Sequence, residues 1–432
     1  MVKEVKDGIL YFDGCSTVEL AHKYGTPLYV VSETDIMEKC QEFRDCFLDR
    51  YPDTRVAYAA KAFLPLAMCK LMEREGMCLD VVSGGEIFTA KTAGFPAERI
   101  EFNGNNKTRR EIEEAVEYGV GRIIIDSVSE LPIIEEICRE QGKKMKVLYR
   151  ITPGVPSDTH DHMVTGKKDS KFGIDLEPEV IYPAIEAAIK SEFVDFLGFH
   201  FHVGSGIFQN EPYLKSLEVA LDLVREVKAR YDYDISELNV GGGFAIQFVP
   251  SEPRPPYSYF LEPIMKRIEE FSAEIGIRRP AVVIEPGKGI VGEAGITLYT
   301  IGSIKEIKNV RKYVAVDGGM TDNIRTELYG AVYDGVVANK MDQPKDDLVT
   351  VCGRCCESGD MVIYDINIAK AQRGDVFAVY STGGYNYSMS SNYNKVPRAP
   401  IVLVKDGQDT LIVKRQSYEN MISNELIPDS LK

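Results

Sequence analysis

Residues 55–63 read RVAYAAKAF, an apolar run that delivers one lysine to its end, and this pattern decides the fold. Seven similar runs follow before residue 290, separated by amphipathic, helix-like stretches. The eight predicted strands end at Lys61, Ser83, Gly104, Ser127, Thr152, Gly204, Gly243 and Gly287. Eight strand and helix repeats in about 230 residues favour a parallel (β/α)8 TIM barrel over an open doubly wound sheet. Functional side chains are then expected at the carboxyl ends of the strands.

Three of the predicted helices have a recognisable start. In a capping box, a serine or threonine and the acidic residue three positions later satisfy free backbone N–H groups of the first helical turn. The sequence predicts such boxes at Ser83 with Glu86, Thr108 with Glu111, and Ser127 with Glu130.

Composition excludes several classes of protein. The 432 residues carry a net charge of −15 with no basic block, so we expect no nucleic-acid partner. No signal-peptide core and no run of about 18 apolar residues occurs, so a soluble, cytoplasmic protein with no membrane partner is expected. The nine cysteines are scattered and odd in number, which predicts reduced thiols rather than a disulfide framework.

The residue pattern of the chain changes after residue 290, from alternating strands and helices to strands separated by turns. Runs such as DLVTVCG and DVFAVYST are separated by turns and show little helical periodicity, which predicts a β-rich barrel or sandwich. The opening GILYFDG segment is expected to join it. We therefore predict a barrel domain over residues 30–290, and a β-rich domain formed by residues 1–29 and 291–432.

The last two barrel strands end in residues suited to an anion. Gly241, Gly242 and Gly243 follow the seventh strand, and Gly287 follows the eighth, where barrels commonly bind phosphate. A glycine triplet alone is more often a tight turn, but its position favours a phosphate cradle. His202 and Ser205, beyond the sixth strand, add an imidazole that can cover an aromatic ring and a hydroxyl that can bind phosphate.

These residues together suit pyridoxal 5′-phosphate (PLP). Lys61 offers an amine for imine formation, and Glu285, on the eighth strand, offers a carboxylate that keeps the pyridine nitrogen protonated. The alternative reading of Glu285 is a salt bridge at the barrel rim.

Motifs along nearly the whole chain resemble those of the fold-type III PLP-dependent decarboxylases, which share the alanine racemase-like barrel. The motifs are YAAKAF, DVVSGGE, FNGNNK, TGKKDSKFGI, HFHVGSG, NVGGGF, EPGK, DGGMTDN, CCESGD and YNYSMSSNYN. The resemblance implies that Lys61 carries the cofactor, Asp80 lies near it, His202 stacks on its ring and Glu285 binds its nitrogen. It also implies phosphate binding by Ser205, Gly241, Gly242, Gly243, Gly287 and Tyr385.

The same resemblance implies a homodimer with shared active sites. Cys356, Glu357 and Ser358 would reach into the partner's barrel. Cys356 would protonate the carbanion after CO₂ leaves, and Glu357 would bind the distal amino group of the substrate. Cys352 and Cys355 also form a CxxC pair, but no second pair accompanies it, so we predict no metal site.

The family branch most similar to this chain converts meso-2,6-diaminopimelate to L-lysine, the last step of lysine biosynthesis. That branch uses two arginines for the substrate's distal carboxylate. Arg325 matches one and Tyr329 matches a neighbouring tyrosine, but Lys288 stands where the other arginine is usual. Lysine keeps the charge and loses the planar fork that grips a carboxylate. Thr326 and Glu327 also replace the usual Pro-Ala pair.

Three alternatives stay open. A related decarboxylase of ornithine, arginine or carboxynorspermidine would share the cofactor residues, although Arg325 argues against a simple diamine precursor. A racemase would favour a cation over Glu285 at the ring nitrogen. A non-catalytic PLP carrier is usually a barrel without a second domain.

Overall fold

The structure, a computed structural model, describes residues 3–155 and 170–432. The described residues divide into two compact units. The β-rich unit comprises Met1–Met37, Gln247–Pro253 and Val291–Lys432, and the barrel unit comprises Glu38–Ile246 and Arg254–Ile290. Residues 165–169 of the TGKKDSKFGI motif lie outside the described residues.

The N-terminal segment supplies short strands and two helices. A three-stranded antiparallel sheet contains the first three strands, while the fourth is buried along its whole length. These elements are β1 (Lys3–Lys6), β2 (Ile9–Phe12), β3 (Cys15–Ser16), α1 (Thr17–Tyr24), β4 (Leu28–Ser32) and α2 (Glu33–Phe43).

In the described part of the barrel unit, eight parallel strands close into a barrel in sequence order. The last pairs with the first, so the barrel has no free edge. This confirms the predicted (β/α)8 fold. The strands are β5 (Thr54–Ala59), β6 (Cys78–Val81), β7 (Ile100–Phe102), β8 (Arg122–Ile125), β9 (Met145–Arg150), β10 (Val194–His200), β11 (Glu237–Asn239) and β12 (Ala281–Ile284).

Helices follow the barrel strands, and the longer ones bury one apolar face, as their periodicity predicts. In the longest of them, Tyr213, Leu217, Leu221 and Val224 are buried at helical spacing. The helices are α3 (Leu66–Arg74), α4 (Gly84–Thr92), α5 (Arg109–Tyr118), α6 (Glu130–Gln141), α7 (Pro178–Lys190), α8 (Glu211–Tyr231), α9 (Tyr257–Ile275) and α10 (Lys288–Val291). Within the described ranges, no helix combines the length and apolar character needed to cross a bilayer.

The helix starts are confirmed in part. Thr108 and Glu111 form a complete capping box on α5, and the Ser83 side chain caps α4. The box at Ser127 is wrong, because α6 begins at Glu130 itself. The Glu130 carboxylate instead accepts a hydrogen bond from the buried Lys107 ammonium over 2.8 Å. A buried ammonium needs a counter-charge, and this requirement outweighs a cap.

The β-rich unit is built on a sheet in which β4 lies between two later strands. β4 pairs antiparallel with the first of these and parallel with the second, which draws residues up to Met37 into this unit rather than into a barrel starting at residue 30. The GILYFDG segment also belongs here, since Leu10 N–H donates to Ala338 O over 2.8 Å. The later elements are β13 (Gly295–Ile307), β14 (Arg311–Val316), α11 (Arg325–Tyr329), β15 (Gly335–Val337), β16 (Asp347–Cys352), β17 (Met361–Ile368), β18 (Val376–Val379), β19 (Ile401–Lys405), β20 (Gln408–Val413) and α12 (Tyr418–Ile422).

Candidate active site

Glu285 is the centre of the polar residues at the carboxyl ends of the barrel strands. It follows β12 directly and is 4% exposed. Its Oε1 atom accepts hydrogen bonds from Nδ2 of Asn239 over 2.9 Å and Nδ2 of Asn103 over 3.1 Å, and lies 3.0 Å from Nε2 of His200. One carboxylate oxygen, Oε1, is therefore fixed by three side chains of the barrel.

Electrostatics keep Glu285 ionised although it is buried. Burial acts to raise the pKa of this carboxyl group, but the electrostatic interaction and close contact with His200, followed by the charge of Lys61, hold it well below its ordinary range. A permanently charged carboxylate inside the barrel is suited to a protonated ring nitrogen.

Two further carboxyl groups flank Glu285. Oxygen atoms of Asp80 on β6, Glu101 on β7 and Glu285 lie within 4.8 Å of one another. Burial raises the pKa of Asp80 to about 8 and that of Glu101 well above its ordinary value, and the Glu285 charge adds to both shifts. The spacing is that of metal ligands, but the amides of Asn103 and Asn239 donate hydrogen bonds into this cluster. N–H donors oppose a cation, so the trio is better suited to sharing protons than to binding a metal.

Lys61 lies beside this cluster at the end of β5. A single 3₁₀ turn, Ala60–Ala62, carries it out of the strand, and its side chain is exposed. Its charge favours the ionised forms of Asp80 and Glu285. Gly287 packs closely against the turn, since a Cβ atom there would lie 3.2 Å from the Cβ atoms of Ala59 and Ala62. This glycine therefore has a packing role that does not depend on phosphate binding.

His202 and the glycine triplet are joined directly. The Gly242 N–H donates to Nδ1 of His202 over 3.2 Å. Burial, followed by the charges of Lys61 and Arg150, lowers the pKa of His202 well below its ordinary value. The imidazole is therefore neutral, with its proton on Nε2.

The triplet itself is required by sterics and leaves one free donor. A Cβ atom at Gly242 would lie 1.9 Å from the Glu285 carbonyl oxygen, and Gly241 has a φ of +71°. The Gly241 N–H donates to Oδ1 of Asn239 over 2.9 Å. Of the triplet, Gly243 keeps an N–H with no acceptor among the described residues, and Ser205 lies on the neighbouring loop.

Lys288 is buried at the same edge of the barrel, with 6% of its surface exposed. Its Nζ atom lies 3.8 Å from the position that a Cβ atom of Gly206 would take. The positive charge is thus placed against the HFHVGSG loop.

The β-rich unit gathers three of the predicted substrate residues. Arg325 begins α11 and is buried, with its Cζ atom 5.2 Å from the ring centre of Tyr329 and 5.5 Å from that of Tyr385. Its Nε–H donates to the Tyr333 hydroxyl over 3.0 Å. The guanidinium is therefore held between aromatic rings in one orientation.

Cys356, Glu357 and Ser358 are exposed on the loop that follows β16. The Cys356 N–H donates to Oδ1 of Asn394 over 2.7 Å, which fixes the backbone of this loop. Burial, reinforced by Asp360, raises the pKa of the neighbouring Cys355 to about 11. The Cys355 thiol therefore stays protonated at neutral pH, which argues against a functional CxxC pair with Cys352.

Sequence reasoning missed three residues of this site. Asn103, Asn239 and His200 all contact Glu285, yet none was selected. A signal was available, because each is a polar residue at the end of a predicted apolar strand, in RIEFNG, ELNVGGG and FLGFHFHVG.

A family model and known relatives match this chain, including its barrel. The family model of the pyridoxal-dependent decarboxylase, pyridoxal binding domain, matches residues 33–292. The chain belongs to this family of PLP-dependent decarboxylases, as its motifs indicated. Within the family it is similar to diaminopimelate decarboxylase of Bacillus subtilis, with 44% identity over 424 residues, which cover 98% of this chain and 97% of the relative.

Solved structures agree over the full length. The crystal structure of diaminopimelate decarboxylase from M. jannaschii matches with a TM-score of 0.94 and 34% identity, covering 100% of this chain and 99% of that one. A second structure of that enzyme, in co-complex with L-lysine, matches equally well.

Proposed function

We propose that this protein removes CO₂ from meso-2,6-diaminopimelate to give L-lysine, with PLP as cofactor. The observation that carries the proposal is the buried, ionised Glu285, which directly follows β12, the strand that pairs with the strand preceding Lys61. When bound, PLP supplies the electron sink for the bond that loses CO₂. The names of the relatives at 44% and 34% identity support diaminopimelate as the substrate.

The barrel residues take complementary roles toward the cofactor. Lys61 would hold the cofactor covalently through Nζ, and the Glu285 carboxylate would keep its ring nitrogen protonated. The neutral imidazole of His202 and the Asp80 carboxyl group would bind the ring. Tyr385, the Ser205 hydroxyl and the glycine backbone at the strand ends would bind the phosphate. Of the triplet, Gly243 would supply the donor, because the N–H groups of Gly241 and Gly242 are engaged by Asn239 and His202, and Gly241, Gly242 and Gly287 would let the backbone approach closely.

The remaining residues select the substrate. Arg325, with Tyr329 and Tyr385, and the charge of Lys288 bind the distal carboxylate. Glu357 and Ser358 bind the distal ammonium group, for which a carboxylate is the natural partner. The Cys356 thiol returns a proton to the α-carbon, a role that fits a thiol at neutral pH.

We also propose a homodimer in which the Cys356 loop completes the partner's active site. The exposure of Cys356, Glu357 and Ser358 in the described chain supports this, since three reactive side chains are available to a second copy. A reducing compartment such as the cytoplasm keeps this thiol reduced.

CO₂ release tests the function directly. Purified protein with added PLP is given meso-diaminopimelate, and in parallel ornithine, lysine and arginine. Release from diaminopimelate alone, with matching lysine formation, is the expected result. Activity confined to another amino acid would show that the reaction is right and the substrate wrong.

A further inference from the structure

Asn239 joins two parts of the site, the central Glu285 carboxylate and the glycine triplet. It is the last residue of β11 and is fully buried inside the barrel. Its Nδ2 donates to Oε1 of Glu285 over 2.9 Å and to Oε1 of Glu101 over 3.2 Å. Its Oδ1 accepts from the Gly241 N–H over 2.9 Å. One amide therefore binds the central carboxylate and the first glycine of the triplet.

We propose that Asn239 is a positioning residue that couples the carboxylate facing the cofactor ring to the glycine loop facing the cofactor phosphate. This inference rests on the proposed function, and specifically on PLP binding at Glu285. Asn239 acts through Glu285 and Gly241 rather than by touching the cofactor.

The chemistry of the position requires a primary amide. The –NH₂ group supplies one hydrogen to each of two carboxyl groups, and the carbonyl oxygen accepts from the backbone. An aspartate of the same shape keeps the acceptor and loses both donors. An alanine loses all three interactions and leaves the buried Gly241 N–H without a partner, which is costly.

Asn103 provides a natural comparison inside the same barrel. Its Nδ2 also bridges two carboxyl groups, with Asp80 Oδ1 at 2.7 Å and Glu285 Oε1 at 3.1 Å. Its Oδ1, however, has no hydrogen-bond partner among the described residues. Asn103 thus holds Glu285 without holding the glycine loop.

The test uses three variants, Asn239→Ala, Asn239→Asp and Asn103→Ala, and two readouts that do not depend on turnover. The first is the pH at which the absorbance of bound PLP titrates, which reports the ring-nitrogen environment. The second is the ratio of dissociation constants for PLP and pyridoxal, which reports phosphate recognition.

All three variants should shift the absorbance titration, because each removes a donor to Glu285. Only Asn239→Ala should also reduce the preference for PLP over pyridoxal, by about tenfold for one lost buried hydrogen bond. An unchanged preference in Asn239→Ala would overturn the coupling. If that variant does not fold, Asn239→Asp decides, because an unshifted titration in it contradicts the proposal.

Wild-type protein separates this inference from the function. Failure of the wild type to bind PLP would remove the proposed function itself. Normal PLP binding by the wild type, with no distinction between Asn239→Ala and Asn103→Ala, would remove the role of Asn239 alone.

Discussion

Nε2 of His200 lies 3.0 Å from Oε1 of Glu285 inside the barrel, at the ends of strands β10 and β12. Burial lowers the pKa of His200, while the Glu285 charge opposes that shift. The same contact is the main influence that keeps Glu285 ionised against its own burial. The charge state of the Glu285 carboxylate therefore depends on a histidine two residues before His202.

Replacing His200 with leucine should raise the pKa of Glu285, because the close contact that most favours the ionised carboxylate is lost. We expect kcat to fall by about 10²-fold, as for other electrostatic groups in active sites, with a smaller change in KM. The absorbance titration of bound PLP should shift in the same variant. His22→Leu, on the exposed face of α1, is the control, and an unaltered titration in His200→Leu would contradict the role.

Asp80 should make the apoprotein less stable as pH rises. Its pKa is about 8 in the folded protein against 3.8 for an ordinary aspartate. Between these values the unfolded chain releases the proton and the folded chain keeps it, so rising pH favours unfolding. Stability from this group is present at low pH and is lost as pH rises toward about 8.

Asp80→Asn removes this titration. The melting temperature of the variant apoprotein should exceed that of the wild type by a margin that widens with pH across this window. Asp49→Asn, at an exposed position, should show no such widening. A margin that narrows with pH would mean that Asp80 is ionised in the folded protein.

The sequence predicted the barrel because its strands alternate with amphipathic helices, a local pattern that needs no tertiary information. Lys61, Glu285 and the glycine triplet could be chosen because strand order places their ends on one rim. Asn239 and His200 could not be ranked in this way, since their importance comes from contacts with Glu285 across the barrel. The Ser127 cap failed for a similar reason, because Glu130 pairs with Lys107 from another loop.

Tyr333 should fix the orientation of the Arg325 guanidinium. Tyr333→Phe removes the hydroxyl that accepts from the Arg325 Nε–H and leaves a buried donor unpaired. KM for diaminopimelate should rise by about tenfold with little change in kcat, because a less ordered guanidinium weakens substrate binding. Tyr418→Phe, at an exposed position, is the control. A fall in kcat without a change in KM would assign Tyr333 to the chemical step instead.

Cys356→Ala should bind PLP normally and lose about 10²-fold or more in kcat if the thiol is the proton donor. Cys355→Ala is the matched control, since burial raises the pKa of that neighbouring thiol to about 11. Stopped-flow absorbance and CO₂ release measure binding and turnover separately. Full turnover in Cys356→Ala would exclude the thiol as donor.

Lys288→Arg tests the departure from the family's usual arginine. A guanidinium offers two parallel hydrogen bonds to a carboxylate, so KM for diaminopimelate should stay equal or fall, by up to a few fold. The 6% exposure of Lys288 and its closeness to Gly206 leave little room for the larger head group. The measurement is therefore KM together with the PLP dissociation constant, with Lys215→Arg on the exposed side of α8 as control. A higher KM with unchanged PLP binding would show that the substrate pocket has been rebuilt around lysine, whereas weaker PLP binding would place Lys288 at the phosphate instead.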